Sequence, residues 1–369
     1  MENNMEPTSP SVDPTQTKLP QIISQSRVEF SGKASEFFGI WTVNILLSIL
    51  TLGIYSAWAK VRTYRYFYSH TRIDGHSFDY LATPIQILKG RILAVVVFIT
   101  YSLVIQFFPA FGILLAVALF FAMPWIINQG LRFNMRMTRH RNVRFAFAGN
   151  YGEAFLNFVV LPIASIFTLY LLLPYALKRI DQYMHENISF GNKPINVNLQ
   201  GEKYYIAALI TIGVTIGGLV IFGIFLGLTG TAIGLGAVDA ENIHPSTILF
   251  PILIGALYVA FLTLVSAVYQ SIIRNHIFNS SEFEDVASFK SDLKAIEYAL
   301  LLFTNALAII FTLGLAYPWA KIRAARLLCA ATEVTIYSGA LAIIDTTEEQ
   351  QSSFAEEAAN VFDIDISLT

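Results

Sequence analysis

One cysteine, Cys329, occurs in 369 residues, so no disulfide can form within the chain. Packing and hydrogen bonds alone must hold the fold. Charge is nearly as scarce. Only 14% of residues are charged, against roughly 25% in ordinary soluble domains. The 24 basic and 26 acidic side chains leave a net charge of −2. No segment is basic enough to form a nucleic-acid surface, so no nucleic-acid partner is expected. The N-terminal residues carry no basic stretch followed by a short apolar core, so no cleaved signal is expected and the first apolar segment should direct insertion. A phosphate-cradling glycine loop, a nucleophile elbow and a His-Glu-x-x-His pair are all missing, so no motif speaks for an enzyme or a cofactor. His70, Asp74, His76 and Asp79 cluster in sequence, but their spacing fits no standard zinc site and reads as a solvated turn.

Apolar residues are what the chain has in excess. They make up 55% of it, mean hydropathy is +0.56, and long apolar runs recur between Phe37 and Leu315. Several reach the roughly 17–25 residues that cross a bilayer core. The expected fold class is an all-α polytopic integral membrane protein with about seven apolar segments and minor short strands in the connectors. Residues 1–26, rich in Pro, Ser, Thr, Asn and Gln, read as a disordered tail. Residues 346–369 read as an acidic C-terminal tail, and residues 27–345 as one transmembrane domain.

That domain is built from repeats. The stretch Thr51 to Arg65, TLGIYSAWAKVRTYR, returns at Thr312 to Arg326 as TLGLAYPWAKIRAAR, identical at eight of fifteen positions. A worn copy keeps Thr168, Leu169, Ala176 and Arg179, with Tyr175 in place of tryptophan and Tyr170 in place of glycine. Upstream, RVEFSGKASEFF (Arg27 to Phe38) matches RFAFAGNYGEAF (Arg144 to Phe155) without a gap. Three such units, near 27–75, 144–191 and 288–336, alternate with two paired-helix units near 92–127 and 206–269. The order is A-B-A-B-A. Internal repetition of this kind is common in transporters and also in membrane scaffolds.

All 24 Lys and Arg residues fall in the tails and the connectors flanking the A units, where the cytoplasmic side should be. An A unit that begins and ends in the cytoplasm cannot be one unbroken crossing. Either each is a broken hairpin turning at Thr-Leu-Gly, or the chain makes seven plain crossings and the positive-inside bias is weak. Both readings stay open.

Trp58, Arg62 and Arg65 are spaced i, i+4, i+7 and share a helical face; Trp319, Arg323 and Arg326 repeat it, and Arg179 belongs to the worn copy. With Lys60 and Lys321 of the Trp-Ala-Lys-x-Arg motif, these are the candidate ligands for a solute or a lipid headgroup. They read as interfacial anchors or as the lining of a basic vestibule that attracts anions. Asn44 and Asn305 occupy equivalent positions inside apolar runs, where a buried amide needs a partner across helices. Glu36, Glu153 and Glu297, also equivalent, suit helix starts. The glycines at 213, 217, 223, 227, 230 and 234 suit close helix packing.

FSGKASEFF, the TLGIYSAWAKVRTYRYF block and its TLGLAYPWAKIRAAR copy together resemble the YjgN-like family of bacterial inner-membrane proteins. The likeness covers about Arg27 to Asp345. It implies a multi-pass protein of the cytoplasmic membrane with no established activity and no catalytic residues to carry over. The expected function is a transporter or channel for a small, anionic solute; the alternative is a non-transporting scaffold or lipid-headgroup binder. The lipid bilayer is the expected partner, and nothing in the sequence specifies an oligomeric state.

Overall fold

The computed structural model describes residues 21–234, 245–341 and 343. Most of both tails and most of the link between the second helix pair lie outside the described residues.

Eleven short strands form one sheet in which every neighbour is antiparallel, in the order β1-β11-β10-β9-β8-β7-β6-β5-β4-β3-β2. The strands are β1 (Ile22–Arg27), β2 (Glu29–Phe30), β3 (Thr71–Ile73), β4 (His76–Tyr80), β5 (Thr138–His140), β6 (Val143–Phe147), β7 (Ile188–Phe190), β8 (Lys193–Val197), β9 (Ser281–Phe283), β10 (Ala287–Ser291) and β11 (Thr332–Tyr337). Because β1 and β2 are one stretch of chain hinged at Val28, the two ends of the order meet and the sheet closes on itself. The Val28 N–H bonds the Thr332 carbonyl at 2.8 Å, and beside it Arg27 pairs with Asp292 at 2.8 Å. Tight turns join β3 to β4, β5 to β6, β7 to β8 and β9 to β10. Their positive φ angles, at Asp74, Gly75, Arg141, Asn142, Gly191 and Asp285, match the right-handed twist of the strands they join.

Between the remaining neighbours the chain inserts helices. These are α1 (Ala34–Leu50) and α2 (Ser56–His70); α3 (Pro84–Phe107) and α4 (Pro109–Arg136); α5 (Tyr151–Phe155), a π-turn and α6 (Leu161–Phe167), followed by α7 (Leu173–Glu186); α8 (Gly201–Gly234) and α9 (Pro245–Asn279); and α10 (Ala295–Phe311) and α11 (Tyr317–Ala330). Five strand-helix-helix-strand units result. Each helical pair leaves one rim of the sheet and rejoins the same rim, while the four tight turns lie on the other. Contacts run from pair to pair and back, α11 packing on α1.

Two expectations are corrected here. The chain is not all-α, because the connectors that looked like incidental strands assemble into the closed sheet. Helices long and apolar enough to cross a membrane number four among the described residues, Pro84–Phe107, Pro109–Arg136, Gly201–Gly227 and Ile252–Asn279, rather than about seven apolar segments. The remaining apolar stretches are shorter helices, Ala34–Leu50, Tyr151–Phe167 and Ala295–Phe311. Their apolar composition runs on past Thr-Leu-Gly, but the backbone does not: seventeen residues make a leg of only about 25 Å.

That turn is built the same way three times. Thr51 Oγ1 donates to the Leu47 carbonyl at 2.7 Å and accepts from Tyr55 N–H at 2.9 Å, so one hydroxyl serves the end of α1 and the start of α2. Thr312 does the same for α10 and α11, and Thr168 for α6 and α7. The Gly53 N–H reaches back to the Ser48 carbonyl at 2.7 Å, closing a Schellman motif. Unusually, the left-handed residue before it is leucine: Leu52, Leu169 and Leu313 have φ of 49, 50 and 50° and are 95%, 84% and 94% exposed. Gly53 and Gly314 follow at φ 90 and 93°, but the middle copy forces Tyr170 to φ 64°.

Inside the sheet ring, Val28, Val143, Phe190, Phe283, Val334 and Ile336 form the largest buried apolar cluster, joined by Ala340 and Ile343 from beyond β11. His140 is buried among them, and burial pushes its pKa from 6.5 to about 4, with Arg141 and His76 adding to the effect and Asp79 opposing it.

Replacing Tyr170 by Gly should raise the melting temperature in detergent, by relieving about 1 kcal/mol of left-handed strain, whereas Gly53→Ala and Gly314→Ala should lower it. Acidification should weaken the ring. Between its unfolded pKa of 6.5 and folded value of about 4, His140 binds a proton only when the chain unfolds. Going from about pH 7 to about pH 5 therefore removes about 2 kcal/mol through this one group. His140→Phe should show a shallower loss in a pH series of thermal melts.

Candidate functional site

Helices α2 and α11 carry the equivalent Trp-Ala-Lys-x-Arg motifs. On each, alternate faces serve different ends. The lysine face of α2 looks into a chamber of about 940 Å³ bounded by α1, α2, α10 and α11. Lys60 and Lys321 both line it, with Asn44, Ser48, Ser56 and Thr63 supplying polar groups, and among its described lining residues none is acidic. The Lys60 ammonium lies 5.5 Å from the Tyr64 ring centre and that of Lys321 5.8 Å from Tyr317. Tyr317 in turn stacks on Trp41 at 6.2 Å, joining the first and last helical pairs. From α3, Arg91 donates to the Ser56 hydroxyl, bringing a third cation to the wall. A second chamber of about 470 Å³, lined by Asn305, shares Ile309, Tyr317 and Lys321 with the first. Equivalent amides thus line adjoining spaces, with Lys321 on the border.

The arginine faces point elsewhere. Arg62 donates to the Tyr55 hydroxyl at 3.2 Å, and Tyr55 stacks on Trp58. Arg62 and Arg65 line a separate recess of about 600 Å³ together with the Arg139–Asp79 ion pair. Arg323 lies 4.4 Å from the Trp319 ring and donates to Thr304 Oγ1 and Asn305 Oδ1, each at 2.9 Å. Arg179, half-buried on α7, joins neither chamber. The structure therefore brings Lys60 and Lys321 together but distributes the five arginines.

Two of those arginines, and Arg132 on α4, fasten the ring. Arg65 donates to the Ala82 carbonyl, Arg132 to Gly149, and Arg326 to Gly32 at 2.8 Å. In each case the returning helix of one pair holds the loop that launches the next, and Arg326 does so across the seam from last pair to first. In the fourth pair Asn275 takes this role, bonding both backbone groups of Leu293. Arg274 beside it donates to Ser291 Oγ, Thr332 Oγ1 and the Leu328 carbonyl. Sequence reasoning missed Arg91 and Arg274 because neither belongs to the repeat; the available signal was a cation at the border of an apolar run, Arg91 near the start of α3 and Arg274 near the end of α9.

Asn44 and Asn305 each donate to a carbonyl on the returning helix of their own pair, Ala59 at 3.4 Å and Ala320 at 3.2 Å. In the glycine-rich helix α8, Gly213, Gly217, Gly223 and Gly227 face open space, whereas Gly218 is the one against which Phe261 packs. Glu36 and Glu297 stand in the first turns of α1 and α10, paired with Lys33 and Lys294. Of the sequence cluster around the β3–β4 turn, Asp79 is taken by Arg139 and His76 by the Asp74 carbonyl. No group of three side chains able to hold a metal occurs among the described residues.

Comparison with known proteins supplies the family. The model of the family described as bacterial protein of unknown function (DUF898) matches residues 25–361. The chain belongs to that family. It is also similar to the inner membrane protein YjgN of Salmonella typhimurium, 30% identical over 211 residues that make up 57% of this chain and 45% of that protein. To the protein of the same name from Escherichia coli strain K12 it is 24% identical over 353 residues, 82% of this chain and 88% of that one. The chain thus matches less than half the length of the Salmonella relative but most of the Escherichia one. No solved structure matches. With its four membrane-length helices and these relatives, the chain is an integral protein of the bacterial inner membrane in the YjgN-like family.

The paired amides separate two roles. Asn305 makes one bond to backbone and accepts another from Arg323, so Asn305→Leu removes two hydrogen bonds at a buried site and should cost about 2 kcal/mol of stability. Asn44→Leu should be close to neutral, since Asn44 makes one long bond and its Oδ1 has no partner. Paired thermal melts of the two variants check the difference.

Proposed function

We propose that the protein moves a small anionic solute across the inner membrane, with the chamber between the first and last helical pairs as its binding site. The observation that carries this reading is the wall of that chamber, where Lys60, Lys321 and the nearby Arg91 meet no carboxylate among the described lining residues. Uncompensated cations in a narrow space with low-dielectric walls focus potential and concentrate anions. At about 940 Å³ the space suits a small organic or inorganic anion with part of its hydration shell. The ring faces of Tyr64 and Tyr317 hold the ammonium groups without neutralising them, which leaves their charge for a ligand. Serine, threonine and asparagine around them offer hydrogen bonds that orient rather than bind tightly, as conduction requires.

A second reading is a site for the headgroup of an anionic lipid, without transport. The apolar Ile45, Ile49 and Ile309 on the same wall favour it, because they suit acyl chains.

Proteoliposomes assayed with a panel of small anions, including chloride, phosphate and short carboxylates, should show flux of at least one. The Lys60→Ala, Lys321→Ala double variant should lose on the order of tenfold or more of that flux, a barrier change of about 1.4 kcal/mol. Arg62→Ala, on the other face of α2, should stay near the wild-type rate. A double variant that transports as well as the wild type removes the chamber from the mechanism. Absence of flux together with co-purifying anionic lipid, lost in the same double variant, favours the headgroup reading instead.

A further inference from the structure

The centre of the sheet ring is not completely filled. A partly open cavity of about 100 Å³ remains there, walled by Phe78, Phe145, Phe190, Phe283 and Phe289 from five different strands. Protein interiors seldom leave voids much larger than a water molecule. An apolar engineered cavity of about 150 Å³ in another protein stays dry and takes up benzene, so this space is of the size that one small ring can enter with slight adjustment of its walls.

Its wall carries one buried polar group with an unpartnered nitrogen. His140 is only 9% exposed and its ring lies 4.5 Å from that of Phe78. The Ser77 backbone takes up one ring nitrogen, while Nδ1 has no partner. Burial, with Arg141 and His76 adding to it, outweighs the opposing Ser77 hydrogen bond and Asp79 and keeps the ring neutral. Held that way, with Nε2–H toward Ser77, Nδ1 is an unpartnered acceptor in the cavity's apolar wall, covered by its neighbours while the space is empty. An acceptor left so is costly unless something fills the space and donates to it.

We propose that the ring interior is a binding chamber for a small, largely apolar molecule, about one aromatic ring in size, that carries a single O–H or N–H donor to His140 Nδ1. The five phenylalanines supply contact area and the histidine supplies orientation, the usual division of labour in a small-molecule site. The chamber lies within the sheet, apart from the lysine chamber among the helices, and the two stand or fall separately. Beyond β11 the chain forms part of the chamber's wall. The Ser338 N–H bonds the Gln21 carbonyl and the Gly339 N–H the Asp285 carbonyl. Ala340, next in line, faces the cavity.

Phenol and benzene are the probes, because they differ by one donor. The full chain in nanodiscs, with ¹⁵N-labelled histidine, is titrated with each. Phenol should bind saturably, on the order of tenfold tighter than benzene, and should shift the Nδ1 resonance of His140 as a hydrogen bond forms on it; benzene should leave that resonance in place. His140→Phe, which keeps the ring and removes the acceptor, should abolish the preference for phenol. Ala340→Leu, which fills the space from the side and leaves His140 untouched, should abolish binding of both probes. Equal affinity for phenol and benzene in the wild type overturns the proposal. So does unchanged phenol binding in Ala340→Leu, or no saturable shift of His140 with either probe.

Discussion

Backbone N–H and C=O groups in the strand ring are satisfied only by antiparallel neighbours on both sides, and that requirement alternates the direction of the chain at every step. Connections therefore fall alternately on one rim and the other. In this chain the even alternation is obeyed without exception: tight turns of a few residues on one rim, helical pairs on the other. The number of membrane crossings made by each pair is then even or zero, whatever the length of its helices. The concentration of lysine and arginine in the flanking segments follows from the same rule, because every one of those segments belongs to the ring or to the rim beside it.

Closure is what makes the rule bind the helices as well. An open sheet would leave β2 and β1 as edges and the first and last helical pairs as neighbours of nothing. With Val28 bonded to Thr332, α1 comes against α11, Trp41 reaches Tyr317, and Arg326 holds the Gly32 carbonyl. The lysine chamber lies across that seam. It draws one wall from each end of the sequence, which is why two copies of one motif, 261 residues apart, come to supply one site.

Much of this was legible in the sequence, and the parts that were not have physical reasons. The Thr-Leu-Gly turn could be read because its chemistry is local: a hydroxyl four residues from each of its partners, and a left-handed backbone that glycine accepts. The repeat could be read because Trp, Ala, Lys and Arg recur at fixed spacing. The sheet could not. Its strands are two to six residues long, too short for alternation to rise above the surrounding connector, and their partners are fixed only by closure. Hydropathy overcounted the long apolar segments, because it registers composition and not the reversal at Thr51. Helical spacing puts Trp58, Arg62 and Arg65 on one stripe of α2. Which stripe meets the chamber depends on neighbours that helical spacing cannot see, so Lys60 and Lys321, each between its tryptophan and first arginine, fall into the same set without distinction. Tyr170 is a different case. A tyrosine at a left-handed position argues against a turn, yet the threonine before it holds the same conformation at some cost.

The seam between β1 and β11 has a consequence for biogenesis. β11 is the last strand to leave the ribosome, so the ring stays open until all five helical pairs have been made and the first strand has waited for its partner. Contacts this distant in sequence make the last step of assembly slow. Meanwhile β2 and its neighbours present unpaired edges to whatever is nearby, including other nascent copies. A cell that expresses this protein quickly must either shield that edge or accept strand exchange between chains, a hazard that a bundle of independent hairpins would never face.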